Sequence, residues 1–216
     1  MTDVKICGTR TVEGARQAVE GGASYLGFIF APVRRYVAPD RVAEILGAMP
    51  GRSSIRAVGV FVDEPLDRVL DVVRVCDLDV VQLHGAEPPS YAESLSRHVP
   101  VVKAFRIAGP ADFAAMARYD VFGYHVEPRV AGHLGGAGIA LDWDAVRRSH
   151  DGTRRLFLSG GLRPDTVAKA IEKVRPTVVD VSSGIETDGA HDVAKIAAFL
   201  HAVREADAVM ARGVHA

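Results

Sequence analysis

Residues 156–186 read LFLSGGLRPDTVAKAIEKVRPTVVDVSSGIE, and their types run strand, glycine turn, helix, strand, Ser-Gly turn. Leu156, Phe157 and Leu158 form a short apolar run, as expected of a strand buried on both faces of a parallel sheet. Ser159-Gly160-Gly161 then frees the backbone for a tight turn in which amide N–H groups converge. Pro164 and Asp165 fit the first turn of a helix that Thr166 to Val174 continues. Thr177 to Val181 is a second β-rich run, closed by another turn of small residues, Ser182-Ser183-Gly184. Two such turns at the carboxyl ends of adjacent parallel strands make an anion cup. In an eightfold βα barrel the phosphate site lies there, after the last two strands. Gly160, Gly161, Ser183 and Gly184 are therefore the candidate phosphate-binding residues. The competing reading is two ordinary βα turns that need glycine only to reverse the chain.

Working outward, the same alternation recurs along the chain. Strands are predicted at Val4–Gly8, Tyr25–Phe30, Ile55–Phe61, Val80–Gly85, Val101–Ile107 and Val121–Glu127. Helical spacing falls at Thr11–Gly22, after Pro39-Asp40, at Leu66–Val75, Pro88–Ser96, Ala111–Ala117 and Asp142–His150. A glycine-rich loop from Pro128 to Ala140 follows the sixth strand, His191–Ala206 forms a final helix, and ARGVHA at the end reads as a frayed tail. Eight strand–helix units without a linker predict an α/β protein, a single (β/α)8 TIM barrel over residues 1–216. A doubly wound open sheet is the alternative, but no early G-x-G-x-x-G fingerprint supports it.

Composition narrows the chemistry. The chain is 48% hydrophobic, enough for a large core, and its formal net charge of −1 gives no basic footprint for nucleic acid. No apolar run approaches a membrane span, and Lys5 and Cys7 interrupt the only early one, so a cytoplasmic protein is expected. Two cysteines, Cys7 and Cys76, make neither a disulfide framework nor a metal cluster. No metal ligand spacing and no cofactor motif is found. The expected partner is a small phosphorylated molecule.

In a barrel, the residues at strand ends share one mouth. Here those ends supply Cys7, Arg34 and Arg35, Asp63, Gln82 and His84, Arg106, Glu127, Ser159 and Asp180. Cys7 is either a small buried hydrophobe or a base, and Lys5 two positions earlier on the same strand face favours a lowered thiol pKa. Either arginine is solvated surface charge or a bidentate grip on a planar carboxylate. Gln82 and His84 are candidates for substrate contact. Glu127 is placed to act as a general acid opposite Cys7. Asp180 either binds a sugar hydroxyl or fixes its turn. Cys76 reads as structural. The residues alone describe a phosphate-binding barrel that moves protons without a cofactor.

Several stretches, in order, resemble the phosphoribosylanthranilate isomerase family of tryptophan biosynthesis: VKICG at 4–8, LGFIF followed by RRYV, VGVFV at 58–62, VQLHG at 81–85, GGAG then LDW, LSGGL, and VDVSSGIE. The resemblance implies a barrel of the ribulose-phosphate-binding type; either a monomer or a homodimer is expected. It also implies an Amadori rearrangement of N-(5′-phosphoribosyl)anthranilate to 1-(2-carboxyphenylamino)-1-deoxyribulose 5-phosphate. By the same resemblance Cys7 is the base at C2′, Arg35 holds the anthranilate carboxylate, Asp180 contacts the sugar, and the two glycine turns take the phosphate. The chain departs from the pattern where the family shows Leu-Leu-Asp. Here Tyr124-His125-Val126-Glu127-Pro128 puts Glu127 in the acid's place, with His125 its rival on the same strand face, and Val33 stands where a serine is common. A raised pKa is expected for Glu127 in a partly closed mouth. A paralogue acting on a related aminoaldose phosphate or aromatic amine, or a non-catalytic sugar-phosphate binder, would share the barrel and the cup. The catalytic lysine and glutamate pattern of indole-glycerol-phosphate synthase is not matched.

Overall fold

Short β-rich runs bounded by turn residues become eight parallel strands, each followed by a helix that covers the sheet's outer face. A computed structural model describes residues 1–49, 52–129, 141–150 and 152–213. The strands are β1 (Asp3–Cys7), β2 (Tyr25–Ile29), β3 (Arg56–Phe61), β4 (Val80–Leu83), β5 (Val101–Ile107), β6 (Gly123–Pro128), β7 (Arg155–Leu158) and β8 (Val178–Val181). The helices are α1 (Val12–Glu20), α2 (Pro39–Gly47), α3 (Leu66–Cys76), α4 (Pro89–Ser96), α5 (Pro110–Met116), α6 (Trp143–Ser149), α7 (Val167–Val174) and α8 (Val193–Gly213). Neighbouring strands pair in sequence order, and β1 pairs β8 with Lys5 opposite Asp180, which closes the barrel. The predicted (β/α)8 architecture is the observed one. No helix among the described residues is long and apolar enough to cross a membrane.

Side chains alternate across each strand, so every second residue points into the barrel. The lower inward positions are apolar: Tyr25, Val58, Val80, Val102, Phe157 and Val178 pack into one cluster. Two residues further along polarity appears, with Gln82 after Val80 on β4 and Asp180 after Val178 on β8, joined by His125 on β6. The barrel thus has a dry floor and a polar mouth. At the matching place on β2 stands Gly27, where an added Cβ would lie 2.9 Å from Cys7 Sγ and 3.2 Å from Lys5 Cε. That gap is what lets the side chains of β1 turn into the mouth.

Three local readings are corrected. Pro164 and Asp165 lie in a turn ahead of α7 rather than inside its first turn. Thr166 Oγ1 accepts from Arg163 N–H at 3.0 Å there, a local bond that competes with helix formation. The last helix, read from His191, starts at Val193, and His191 instead closes a small antiparallel hairpin, β9 (Glu186–Thr187) and β10 (Ala190–His191), turned through Asp188 and Gly189 at positive φ. Helix α8 runs to Gly213, so Ala211 to Gly213 are helical and not frayed. Its Asp207 accepts from Thr2 N–H at 2.6 Å and from Thr2 Oγ1 at 2.8 Å, which ties down the start of β1. The glycine-rich loop over residues 130–140 and the last three residues lie outside the described residues.

A buried ion pair holds the mouth between β3 and β5. Lys103 Nζ donates to Glu87 Oε2 at 3.0 Å, to the Gly85 carbonyl at 2.7 Å and to the Leu83 carbonyl at 3.3 Å. Glu87 in turn accepts from Asp63 N–H at 2.9 Å and Gly85 N–H at 3.1 Å. Both side chains are under 5% exposed. Removing one partner strands the other charge, which costs about 3–5 kcal/mol. Lys103→Met is therefore expected to lower Tm by about 10 °C in thermal unfolding. Lys103→Met combined with Glu87→Leu should recover part of that loss. A single-mutant change under about 2 °C would show that the clamp does not hold the mouth.

Candidate active site

A cavity opens at the carboxyl ends of the strands, lined among others by Cys7, Arg35, Gln82, His84, His125, Glu127, Asp180 and both glycine turns. The predicted site residues are thus brought together, with their electrostatics set by partners distant in sequence.

Lys5 is fully buried and its Nζ donates to Asp180 Oδ2 at 3.0 Å. Burial pulls its pKa down, but Asp180 and Cys7 outweigh that and hold it above its ordinary value. The lysine's charge is thus shared with a carboxylate and not spent on the thiol alone. For Cys7, burial pushes the thiol up and wins over the pull of Lys5, with Asp180 adding to the rise. The expected lowering of the thiol pKa is therefore not found. Asp180 is pushed up by burial and pulled down further by Lys5 and His125, so it is ionised. His125 Nε2 lies 2.9 Å from the same Oδ2, and burial holds that imidazole below its ordinary pKa. A neutral ring against a carboxylate oxygen must carry its proton on Nε2.

Glu127 is 4% exposed at the end of β6. His84 Nε2 lies 3.0 Å and Arg106 Nε 3.3 Å from its Oε1. Burial pushes this carboxyl up, but the His84 hydrogen bond and the attraction of the neighbouring His84, His125 and Arg106 side chains bring it below its ordinary value. The expected raised pKa is overturned for the ligand-free protein: the His84 hydrogen bond, from just past β4, and Arg106 on β5 outweigh desolvation. His84 Nδ1 lies 3.0 Å from Gln82 Nε2, so Gln82, His84 and Glu127 form a chain across the mouth. Gln82 and His84 thereby meet Glu127 as well as the cavity.

Arg35 is held side-on by Glu186, with Nε to Oε1 at 2.6 Å and Nη2 to Oε2 at 2.9 Å. Arg34 reaches the same Oε2 at 2.7 Å from the exposed side and donates to the Gly189 carbonyl at 2.9 Å. Burial pushes Glu186 up, yet the two arginines bring it down to about 2. Glu186 was missed in the sequence, where nothing local ties it to arginines some 150 positions away. Asp63, a strand-end candidate, does not line the cavity. Its Oδ1 accepts from Ala86 N–H at 2.6 Å and fixes the neighbouring loop.

The two glycine turns meet. Gly160 and Gly161 both have positive φ, at 94° and 67°. Gly184 packs so closely on the Leu162 carbonyl that a Cβ would overlap it. The N–H groups of Gly161, Ser183 and Gly184 have no backbone acceptor among the described residues. A convergent set of free N–H groups beside a short 3-10 turn, Ser183–Ile185, is suited to an anion.

Comparison with known proteins agrees with this geometry. Residues 4–202 match the family model of N-(5′-phosphoribosyl)anthranilate (PRA) isomerase. The N-(5′-phosphoribosyl)anthranilate isomerase of Moorella thermoacetica is 42% identical over 96% of this chain and 92% of its own. The phosphoribosyl anthranilate isomerase of Thermotoga maritima superposes with a TM-score of 0.88 at 35% identity, covering 95% of this chain and 100% of that one. That Thermotoga protein is dimeric, and monomers have been generated from it. A further isomerase structure, TM-score 0.85 at 35% identity over 95% of this chain and 100% of its own, is a complex with reduced 1-(o-carboxyphenylamino)-1-deoxyribulose 5-phosphate. With barrel, cup and strand-end thiol all in place, the chain belongs to the N-(5′-phosphoribosyl)anthranilate isomerase family.

Proposed function

We propose that the chain catalyses the rearrangement its family is named for, N-(5′-phosphoribosyl)anthranilate to 1-(2-carboxyphenylamino)-1-deoxyribulose 5-phosphate, in tryptophan biosynthesis. One observation carries the assignment of roles. A strand-end thiol, a strand-end carboxylate, an arginine and a cup of backbone N–H groups line the same cavity. The phosphate takes the N–H groups of Gly161, Ser183 and Gly184. Glu186 occupies only the Nε–Nη2 edge of Arg35, so the Nη1–Nη2 edge is left for the anthranilate carboxylate. Asp180, with Oδ1 unpartnered, faces the sugar between these anchors.

Glu127 gives a proton to the ring oxygen as the C1′–O bond breaks and the anilino nitrogen's lone pair forms the Schiff base. The cationic imine acidifies C2′, and Cys7 removes that proton. The C2′–H electrons form a C1′=C2′ double bond as the C1′=N pair returns to nitrogen, giving an enol, which gains a proton at C1′ and loses one from its 2′-hydroxyl to become the ketose. β1 and β6 stand three strands apart round the closed barrel, so base and acid face each other across the mouth.

Glu127 is ionised in the ligand-free protein and must be loaded with a proton. In the observed arrangement Gln82 donates to His84 Nδ1, and Gln82 Oε1 is buried without a partner. With the amide turned over, Oε1 accepts from His84 Nδ1–H, and His84 Nε2 accepts from a protonated Glu127. A substrate bringing a carboxylate and a phosphate dianion into the mouth favours that second state.

Cys7→Ser and Glu127→Gln are each expected to cut kcat by about 10²–10⁴-fold with the substrate generated in place, while the reduced product analogue still binds. Near wild-type turnover in either variant would remove that residue from its role. The pH profile gives a separate check. Cys7 titrates above its ordinary value of 9.0 and Glu127 below 4.5 in the free protein. Between those limits the product of the two required fractions is constant. Therefore kcat/KM is expected to stay flat from about pH 5.5 to 8, falling in more acidic and more alkaline solution. A limb centred near neutral pH would instead put a histidine in charge of the rate.

A further inference from the structure

Buried polar atoms almost always find a partner, so those that do not mark what a ligand supplies. Among the described residues, six buried side-chain polar atoms lack one; Gln17 Oε1 and Trp143 Nε1 lie away from the mouth, while Gln82 Oε1, His125 Nδ1, Asp180 Oδ1 and Ser182 Oγ belong to residues that line its cavity. His125 is the unexpected member. Its ring is 2% exposed on β6, and its Nε2 lies 2.9 Å from Asp180 Oδ2, which also holds Lys5. His125 and Asp180 come from alternate strands, whose inward side chains share a layer in such barrels, which is why they touch. The charged and titratable groups around the ring are Asp180 on β8, Lys5 behind it on β1, His84 just past β4 at 5.5 Å between ring centroids, and Glu127 on its own strand. With Asp180 ionised, Nε2 carries the proton and points away from any acid role. Nδ1 is then a bare lone pair with no donor.

We propose that His125 is a specificity-determining residue: held by Asp180 through Nε2–H, it accepts a hydrogen bond at Nδ1 from one hydroxyl of the substrate's ribose chain. The orphaned acceptors on His125 and Asp180, with Ser182 Oγ beside the cup, together call for a ligand rich in O–H donors between the phosphate cup and Arg35. A polyhydroxylated five-carbon chain meets that demand. The same pairing explains why a histidine stands two residues from the acid without competing for its proton, since its own is committed to Asp180. This inference rests on the isomerase reading, because it takes the sugar chain of that substrate as the donor.

The test crosses protein and ligand. Reduced 1-(o-carboxyphenylamino)-1-deoxyribulose 5-phosphate and its 3-deoxy and 4-deoxy forms are titrated by calorimetry into wild type, His125→Gln and His125→Asn. Glutamine keeps an N–H near the place of Nε2 for Asp180 but has no acceptor at Nδ1, whereas asparagine keeps an acceptor near Nδ1 and loses Asp180. One deoxy compound is expected to bind wild type about 10-fold more weakly than the parent. That penalty should vanish in His125→Gln and persist in His125→Asn. Equal penalties in wild type and His125→Gln would overturn the proposal. Should the variants fail to fold, ¹⁵N NMR of the wild-type imidazole decides: Nε2 protonated, Nδ1 bare, and the Nδ1 resonance moving when the parent compound saturates the site. A proton on Nδ1, or a resonance that does not respond, overturns it equally. If wild type does not bind the parent compound at all, the isomerase reading itself falls and this inference with it.

Discussion

The site depends on one buried contact, Lys5 Nζ to Asp180 Oδ2 at 3.0 Å, with the two side chains 0% and 6% exposed. It lies where β1 meets β8, so the residues that close the barrel also set the charge of its mouth. Neither ion could be buried alone, and an unpaired charge there would cost several kcal/mol. The pair has consequences on both sides. Lys5 faces Cys7 with a cation already half spent, so burial keeps the thiol protonated at neutral pH. Asp180 fixes His125 in one tautomer and takes it out of the acid's role. Gly27 leaves the space that the side chains of Lys5 and Cys7 fill.

Much of this architecture was legible in the sequence. Eight β-rich runs bounded by turn residues predicted the strands to within two residues, because parallel strands buried on both faces need a continuous apolar signal. The hairpin β9–β10 was overlooked although Asp188-Gly189, a common hairpin turn, marks it. Its strands are two residues each, too short for a period to register. The start of α7 was misplaced because Pro164-Asp165 looks the same in a helix's first turn and in the turn before one.

The site was legible as a set of positions and not as a set of charges. Strand ends and glycine turns placed Cys7, Arg35, Gln82, His84, Glu127, Asp180 and the cup round one cavity. The signs of two pKa shifts were misjudged because they turn on burial and on partners remote in sequence: burial, with Asp180 adding to it, raises Cys7, and His84, 43 positions from Glu127, lowers that carboxyl. Glu186 and the Lys103–Glu87 clamp were missed for the same reason. A barrel brings such residues together by closure, and no local window contains them.

Whether the Lys5–Asp180 pair governs the thiol can be measured on the thiol itself. In a Cys76→Ser background, the ultraviolet absorbance of the thiolate reports Cys7 alone as pH is raised. Its midpoint should lie above the ordinary value of 9.0. Asp180→Asn should lower it, since the carboxylate's repulsion is lost and the whole charge of Lys5 is freed for the thiolate. A midpoint at or below 9.0 in the parent, or one that Asp180→Asn leaves in place, would contradict the account.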